Sequence, residues 1–162
     1  MGLSAFLRGS ERKKGERMQT ETNGMTAEKA RAENPVTLAF LGDAVYSLYV
    51  REKLVKNGGG KPADYQFTAA KIVSAKGQSE FLSRVESLLT EEELDVFRRG
   101  RNAKKGTRAK HASVTEYNRS TGFEAVLGFL YLTGRYERIG ELLAEDDEAR
   151  YELRERIRNF KP

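Results

Sequence analysis

The stretch Leu38-Ala39-Phe40-Leu41-Gly42-Asp43-Ala44-Val45-Tyr46 places one acidic residue in the middle of a run that otherwise has the pattern of a buried helix. A carboxylate in apolar surroundings costs free energy unless another group compensates it. Ser120-Thr121-Gly122-Phe123-Glu124-Ala125-Val126-Leu127-Gly128 repeats the pattern with Glu124 as its single acid. A glycine near each acid allows another segment to approach closely. The two acids are therefore candidates to share one cation; the alternative is that each pairs with a basic side chain from elsewhere.

The first stretch is predicted to belong to a central helix from about Pro35 to Lys56. Asn34 can cap this helix, proline suits its first turn, and the Asn57–Gly60 segment ends it. Apolar residues go almost all the way round the helix between Val36 and Val50, which predicts burial on several sides.

The rest of the chain also shows helical spacing, and no stretch has the period of two that is typical of strands. We therefore predict an all-α architecture. The further helices are expected after Thr26, from Pro62 with a break or kink at Gly77, over Phe81–Leu89, from a cap at Thr90 through Phe97, from a cap at Thr115 to Gly134, over Tyr136–Leu143 and over Glu148–Asn159.

Composition limits the function classes. The 162 residues suit one domain, expected over 25–162, preceded by a mobile polar tail over 1–24. The absence of cysteine excludes disulfides and thiolate metal sites and fits a cytoplasmic protein. No apolar run approaches the roughly 20 residues of a membrane span. The single histidine, His111, lies in a very basic run, which argues against a Ser-His-Asp triad.

A net charge of +5 makes a polyanion a plausible partner, and the basic residues concentrate between Arg98 and His111. This segment contains Gly100 and Gly106 and has no apolar anchor, so we predict a basic loop. The alternative is a charged loop that is only solvated. The residues of the loop that are candidates to contact a polyanion are Arg98, Arg99, Arg101, Asn102, Lys104, Lys105, Arg108 and Lys110.

The two acidic stretches resemble a known family. Leu38–Tyr46 is similar to the signature helix of the ribonuclease III family, and Phe123–Gly128 resembles its second acidic motif. The resemblance is greatest to the compact bacterial branch, the mini-ribonuclease III proteins, which consist of the nuclease domain alone. It covers about residues 26–145. The segments Asn34-Pro35, Val73–Ala75, Arg101–Lys104 and Ser120–Glu124 contribute to it.

The resemblance implies Asp43 and Glu124 as catalytic residues and ligands of Mg²⁺, with Mn²⁺ as a substitute. The larger enzymes of the family usually carry two more acids, at the positions that Ala39 and Thr121 occupy here. The compact branch shares this reduction, so water and a substrate phosphate would complete the metal's coordination. Few protein ligands suit Mg²⁺ but imply weak binding.

The implied activity is that of a ribonuclease III-like helical endonuclease domain. It would be a homodimeric endoribonuclease that cleaves double-stranded RNA by in-line attack of a metal-activated water. The products would carry 5′-phosphate ends and short 3′ overhangs. The implied substrate is the precursor of large-subunit ribosomal RNA, and the polyanion-binding candidates of the loop, from Arg98 to Lys110, would be its RNA-binding residues. Phe40 and Leu41 are candidates for the dimer contact, with ordinary core packing as the alternative.

Two other functions remain open from the sequence. A non-catalytic double-stranded-RNA-binding module would keep the helices and the basic segment, and the missing acids at Ala39 and Thr121 favour it. A helix-turn-helix DNA-binding protein would also be small and basic, but its Lys and Arg residues should lie on a recognition helix rather than in a loop.

Overall fold

The structure, a computed structural model, describes residues 24–106 and 112–144. All regular elements within these two ranges are helical, which confirms the all-α prediction. A short 3₁₀ turn, Glu86–Leu88, follows the fourth helix. The α-helices of the described ranges are α1 (Ala27–Ala32), α2 (Pro35–Asn57), α3 (Pro62–Ile72), α4 (Ala75–Val85), α5 (Glu91–Asn102), α6 (Val114–Leu132) and α7 (Tyr136–Ala144).

The central helix of the fold is α6. It packs against α2, α4 and α5, and also contacts α1 and α7. Nearly every residue of α6 from Ser120 to Leu130 is buried. The prediction that α2 is the helix buried on several sides was wrong: Phe40 is 82% exposed and Leu48 is 69% exposed. The main partners of α2 are α6 and α3, and they leave apolar residues on its other side uncovered.

Two glycines allow α2 and α6 to cross with their backbones in contact. A Cβ atom built on Gly42 would lie 1.7 Å from the carbonyl oxygen of Glu124, and one built on Gly128 would lie 2.0 Å from the carbonyl oxygen of Leu38. No side chain fits into either space. The crossing therefore depends on glycine on both helices.

Three aromatic rings continue this contact into the core. Tyr46 of α2, Phe81 of α4 and Phe123 of α6 are fully buried, and their ring centroids lie 5.4–6.1 Å apart. Two of the three pairs are edge-to-face, an arrangement that aromatic rings favour. The cluster fixes α4 against the α2–α6 pair.

The predicted basic loop begins later than expected, because α5 continues through Asn102. Gly100 lies inside this helix, and a Cβ atom there would approach within 2.9 Å of the Ala125 Cβ and 3.0 Å of the Gly122 Cα. The glycine thus serves close packing of α5 on α6. The prediction of a loop over Arg98–Asn102 was therefore wrong, since sequence alone does not distinguish a turn glycine from a packing glycine.

Three further boundaries differ from the predictions. The helix predicted over Phe81–Leu89 ends at Val85, and the 3₁₀ turn follows it. Ser113 rather than Thr115 caps α6: its hydroxyl accepts from the Glu116 backbone N–H while the Glu116 carboxylate accepts from the Ser113 N–H. The break between α3 and α4 lies at Val73 and Ser74, and Gly77 belongs to the first turn of α4. The cap at Thr90 and the ends at Gly58 and Gly134 agree with the predictions.

Several predictions concern residues that the structure does not describe. These are the tail over 1–24, apart from Gly24, and the helix over Glu148–Asn159. None of the helices within 24–106 and 112–144 is both long enough and apolar enough to cross a membrane.

We expect Gly128→Ala to lower the free energy of unfolding by about 1–3 kcal/mol or more, because the new methyl group would overlap the Leu38 carbonyl. Urea denaturation at neutral pH measures this change. Gly140→Ala in α7 is the matched control, since a Cβ atom there meets nothing within 4 Å. The control should be neutral or should stabilise the protein by up to about 1 kcal/mol through its higher helix propensity. Equal losses in both variants would contradict the crossing as the cause.

Candidate active site

The α2–α6 crossing brings the two predicted acids together. Asp43 directly follows Gly42, the residue that packs on the Glu124 backbone. The Asp43 charge contributes to raising the pKa of Glu124, so the two carboxyl groups interact. Asp43 itself is exposed, contrary to its apolar sequence neighbourhood, whereas Glu124 is mostly buried. The site thus combines one carboxylate open to solvent with one held inside the fold.

Glu124 is a buried acid without a strong counter-charge. Burial is the main cause that raises its pKa to about 7, and the Asp43 charge adds to the rise, while a hydrogen bond from Gln78 and the Lys105 charge oppose it. The hydrogen bond joins Gln78 Nε2 to Glu124 Oε1 at 2.9 Å. A bound cation would relieve both the desolvation of Glu124 and its repulsion from Asp43.

Glu93 is a second buried acid, and it forms an ion pair with a basic side chain. This is the alternative that the sequence left open for Asp43 and Glu124. Burial raises the pKa of Glu93, but hydrogen bonds from Arg138 and Thr90 outweigh this effect and hold the pKa below its ordinary value. Arg138 reaches both carboxylate oxygens, with Nε at 2.9 Å from Oε1 and Nη2 at 3.0 Å from Oε2. Glu93 is therefore compensated by a protein base. At Glu124 the corresponding contact is a neutral amide.

A cleft of about 370 Å³ lies beside Glu124. Ala39 and Thr121, the positions where the larger enzymes carry their other two acids, line this cleft. Lys104 and Lys105 line it as well. The reduced acid set and the basic segment thus face the same space, and the lysines supply positive charge where two carboxylates are missing.

The basic residues differ in how they are held. Lys105 is partly buried: its Nζ donates to Asn118 Oδ1 at 2.9 Å and to two carbonyls of the segment, and burial lowers its pKa. Arg99 donates to the carbonyls of Arg31 and Glu33 at the end of α1. The Arg101 guanidinium lies 5.7 Å from the centre of the Phe97 ring.

Three other members of the predicted RNA-binding set are exposed: Arg98, Asn102 and Lys104. Arg101 Nε donates to Asn102 Oδ1 at 3.2 Å. Arg108 and Lys110 lie outside the described residues. The described basic residues therefore include both exposed charges and charges engaged within the fold.

The two carboxylates fit Mg²⁺, which keeps several bound waters, better than a metal whose ligands all come from the protein. Among residues 24–106 and 112–144, no group of three or more His, Cys, Asp or Glu side chains is placed to hold a metal. Mg²⁺ commonly binds through one or two carboxylates and keeps several waters. Asp43 and Glu124 match that requirement in number and in ligand type.

Phe40 and Leu41 lie on the outside of α2 and not in the core. Phe40 is 82% exposed, so it is not packed in the core that residues 24–106 and 112–144 form. Leu41 is partly buried and lines an apolar groove with Leu48, Tyr131 and Tyr136. Leu41 thus belongs to an apolar surface formed by α2, α6 and α7, whereas Phe40 lines the cleft beside Glu124.

The sequence analysis did not identify Gln78, which contacts Glu124. Gln78 is 1% exposed, and its Oε1 is buried without a hydrogen-bond partner among the described residues. Such an unsatisfied group costs about 1–3 kcal/mol. Gln78 precedes Phe81 and Leu82 by three and four residues, so it lies in line with the apolar stripe of α4. A polar residue on an apolar stripe was the signal in the sequence from which Gln78 could have been identified.

Comparisons with known proteins agree with the motifs. A family model described as Ribonuclease III domain matches residues 36–135. The chain is 48% identical to the mini-ribonuclease 3 of Brevibacillus brevis over 112 residues, covering 69% of the chain and 84% of that protein. It is 45% identical to the mini-ribonuclease 3 of a Thermoanaerobacter species over 122 residues, covering 75% of the chain and 86% of that protein.

A solved structure extends the likeness to the fold. A crystal structure of a protein from Fusobacterium nucleatum matches with a TM-score of 0.65 and 31% sequence identity. The match covers 70% of this chain and 93% of the other.

We expect Glu124→Gln to stabilise the metal-free protein at pH 8 but not at pH 4. A carboxyl group whose pKa is about 7 in the folded state and 4.5 ordinarily binds its proton more tightly when folded. Native stability is therefore lost as the pH rises from about 4.5 to about 7, by up to about 3 kcal/mol. Urea denaturation in a metal chelator measures the difference between variant and unmodified protein at both pH values.

The control for this experiment is Glu137→Gln, which makes the same chemical change at an exposed residue of α7. A stability gain from Glu124→Gln that is the same at pH 4 and pH 8 would contradict the raised pKa.

Proposed function

Because the chain belongs to the ribonuclease III family, in its mini-ribonuclease 3 branch, we propose that it is a divalent-metal-dependent endoribonuclease that cleaves double-stranded RNA. The observation that carries the proposal is the meeting of Asp43 and Glu124 beside a cleft lined by lysines. Carboxylates can hold a cation, and the lysines can hold the phosphate on which the cation acts.

In this proposal Asp43 and Glu124 hold Mg²⁺, with Mn²⁺ as a substitute. The bound ion would activate a water molecule and stabilise negative charge on the phosphodiester. Asp43 is exposed and accessible to an ion from solvent, while Glu124 is held by its hydrogen bond to Gln78. With Ala39 and Thr121 at the other two positions, the two carboxylates would bind the metal weakly by themselves, and the substrate phosphate would supply part of the coordination.

The basic segment would bind the RNA backbone. A-form RNA is recognised largely through its shape, its phosphates and its 2′-hydroxyl groups, so exposed cations beside the cleft suffice. Arg98, Arg101 and Lys104 are the candidates for phosphate contacts, and Asn102 for a contact at a groove edge. Lys105 faces the cleft while its ammonium group also holds the segment to α6. Arg99 holds the segment against the end of α1, because its guanidinium donates to the carbonyls of Arg31 and Glu33.

The remaining parts of the proposal rest on the family alone. We propose that the natural substrate is the precursor of large-subunit ribosomal RNA and that the products carry 5′-phosphate ends. A cytoplasmic location is proposed with it.

Arg108 and Lys110 stay candidates for RNA contacts. A single domain over 25–162 after a tail over 1–24 also stays a prediction.

We further propose a homodimer that uses the outer face of α2. Phe40 is the most exposed large apolar residue in the described ranges, and Leu41 follows it on an apolar groove. Exposed apolar surface of this kind marks a site of association. The two active sites of such a dimer would cut opposite strands of one duplex.

The second candidate function is a non-catalytic module that binds double-stranded RNA. The observation in its favour is that Ala39 and Thr121 line the cleft where the larger enzymes have acids. The presence of both Asp43 and Glu124 argues against it, because a binding module has no need for two neighbouring carboxylates that repel each other and the RNA phosphates.

We expect Mg²⁺-dependent cleavage of a long double-stranded RNA by the unmodified protein. Asp43→Asn and Glu124→Gln should each reduce the rate by more than about 100-fold, because even changes to residues behind the ligands cost roughly 10–100-fold. Gel analysis of cleavage with and without Mg²⁺ measures this, and filter binding checks that both variants retain the RNA. Asp95→Asn, at an exposed acid of α5, is the control.

No cleavage by any form, together with tight RNA binding, would favour the non-catalytic module. Equal binding of double-stranded RNA and duplex DNA without cleavage of either would instead favour a DNA-binding function.

We expect Phe40→Glu to shift the protein from dimer to monomer, because burying a charge in an apolar contact is unfavourable. Sedimentation equilibrium over a range of protein concentrations measures the shift, expected as a rise of at least roughly 10-fold in the dissociation constant. Phe67→Glu is the matched control, since Phe67 is 57% exposed on α3. The same effect from both substitutions, or from neither, would contradict an interface at Phe40.

A further inference from the structure

We propose that Gln78 is a positioning residue for Glu124, which holds this carboxylate in the orientation that a divalent cation requires. The inference rests on the proposed function, in which Asp43 and Glu124 bind the cation. It adds a residue of α4 to a site otherwise formed by α2 and α6.

The Gln78 amide makes two hydrogen bonds, and both use its nitrogen. Nε2 donates to Glu124 Oε1 at 2.9 Å and to the Val73 carbonyl oxygen at 2.9 Å. Because a carbonyl only accepts, and an ionised carboxylate only accepts, the amide cannot turn over without losing both bonds. The amide thus holds one oxygen of the Glu124 carboxylate, Oε1, in a fixed position.

The backbone beneath Gln78 is also held firmly. Ser74 caps α4 by accepting from the Gly77 N–H at 3.1 Å, and the Gln78 N–H donates to the Ser74 carbonyl at 2.9 Å. A Cβ atom on Gly77 would lie 2.4 Å from the Ile72 carbonyl oxygen, so this turn fits closely against the end of α3. The backbone of Gln78 is therefore held in place, and this fixes where its side chain donates to Glu124.

The two ends of the Gln78 amide differ, because its nitrogen makes hydrogen bonds and its oxygen makes none among the described residues. Gln78 is 1% exposed, and its Oε1 finds no donor among residues 24–106 and 112–144. An apolar side chain of similar length would fill the same space without an unsatisfied atom. The distinctive contributions of the amide are therefore the two hydrogen bonds of its nitrogen, one to the Val73 carbonyl and one to the Glu124 carboxylate.

A neutral donor suits a metal ligand better than a charged one. Arg138 compensates Glu93 through two hydrogen bonds, and a carboxylate neutralised in this way has little negative charge left for a cation. Gln78 orients Glu124 without bringing a positive charge. With only two carboxylates at the site, the orientation of each has a large effect on metal affinity.

The test is direct titration with Mn²⁺, followed by electron paramagnetic resonance in the absence of RNA. Gln78→Met removes the donor and keeps the length of the side chain, and Gln78→Asn keeps an amide but is one methylene shorter. Ser79→Ala is the matched control, because it removes a neighbouring α4–α6 hydrogen bond, from Arg119 Nε at 3.2 Å, without touching Glu124. Urea midpoints of all variants are measured in parallel.

The expected result is that both Gln78 variants bind Mn²⁺ roughly 10–100-fold more weakly, as is typical for residues that orient metal ligands, while Gln78→Met keeps the urea midpoint of the unmodified protein. Ser79→Ala should bind like the unmodified protein. Unchanged Mn²⁺ affinity in the Gln78 variants, or a loss that Ser79→Ala shares, would overturn the inference.

Asp43→Asn and Glu124→Gln separate this inference from the function on which it rests. If these two variants lose Mn²⁺ binding and the Gln78 variants do not, the site exists and Gln78 does not position it. If Mn²⁺ binding is absent, or survives both substitutions, the proposed metal site is wrong and the role of Gln78 fails with it.

Discussion

The contact between the backbones of α2 and α6 is the constraint on which the site depends. Helices that meet through larger side chains usually lie about 8–10 Å apart. Here Gly42 and Gly128 let each helix reach a carbonyl oxygen of the other, at Glu124 and at Leu38. Asp43 follows Gly42 in sequence, so the same contact that closes the core also brings its carboxylate near Glu124. A substitution at this crossing would therefore alter both the packing of the two helices and the positions of the two carboxylates.

Two mostly buried glutamates in one small fold differ in how the protein compensates their charge. Glu93 caps α5 and receives two hydrogen bonds from Arg138, and its pKa is lowered despite burial. Glu124 receives one hydrogen bond from a neutral amide and lies near a second acid, and its pKa is raised to about 7. The fold thus supplies a base for Glu93 and only a neutral hydrogen-bond donor for Glu124.

The surroundings of Glu124 are consistent with a site that shares its coordination with substrate. The cleft contains Ala39 and Thr121 where more acids would give a stronger metal site, and Lys104 and Lys105 add positive charge there. Under the proposed function, such a cleft would bind a cation together with a substrate phosphate. Family membership and this balance of charge together support an RNA-cleaving enzyme over a module that only binds RNA.

The sequence by itself determined the all-helical class, most helix ends and the two acids, because period, caps and terminal glycines are local signals. It also pointed to the family through the motifs around Asp43 and Glu124. Only the tertiary structure decided that α6 is the central helix, that Phe40 is exposed, that Gly100 packs inside a helix, and that Gln78 contacts Glu124. Burial and contact depend on which helix faces cross, and a helical pattern shows that a face is apolar without showing what covers it.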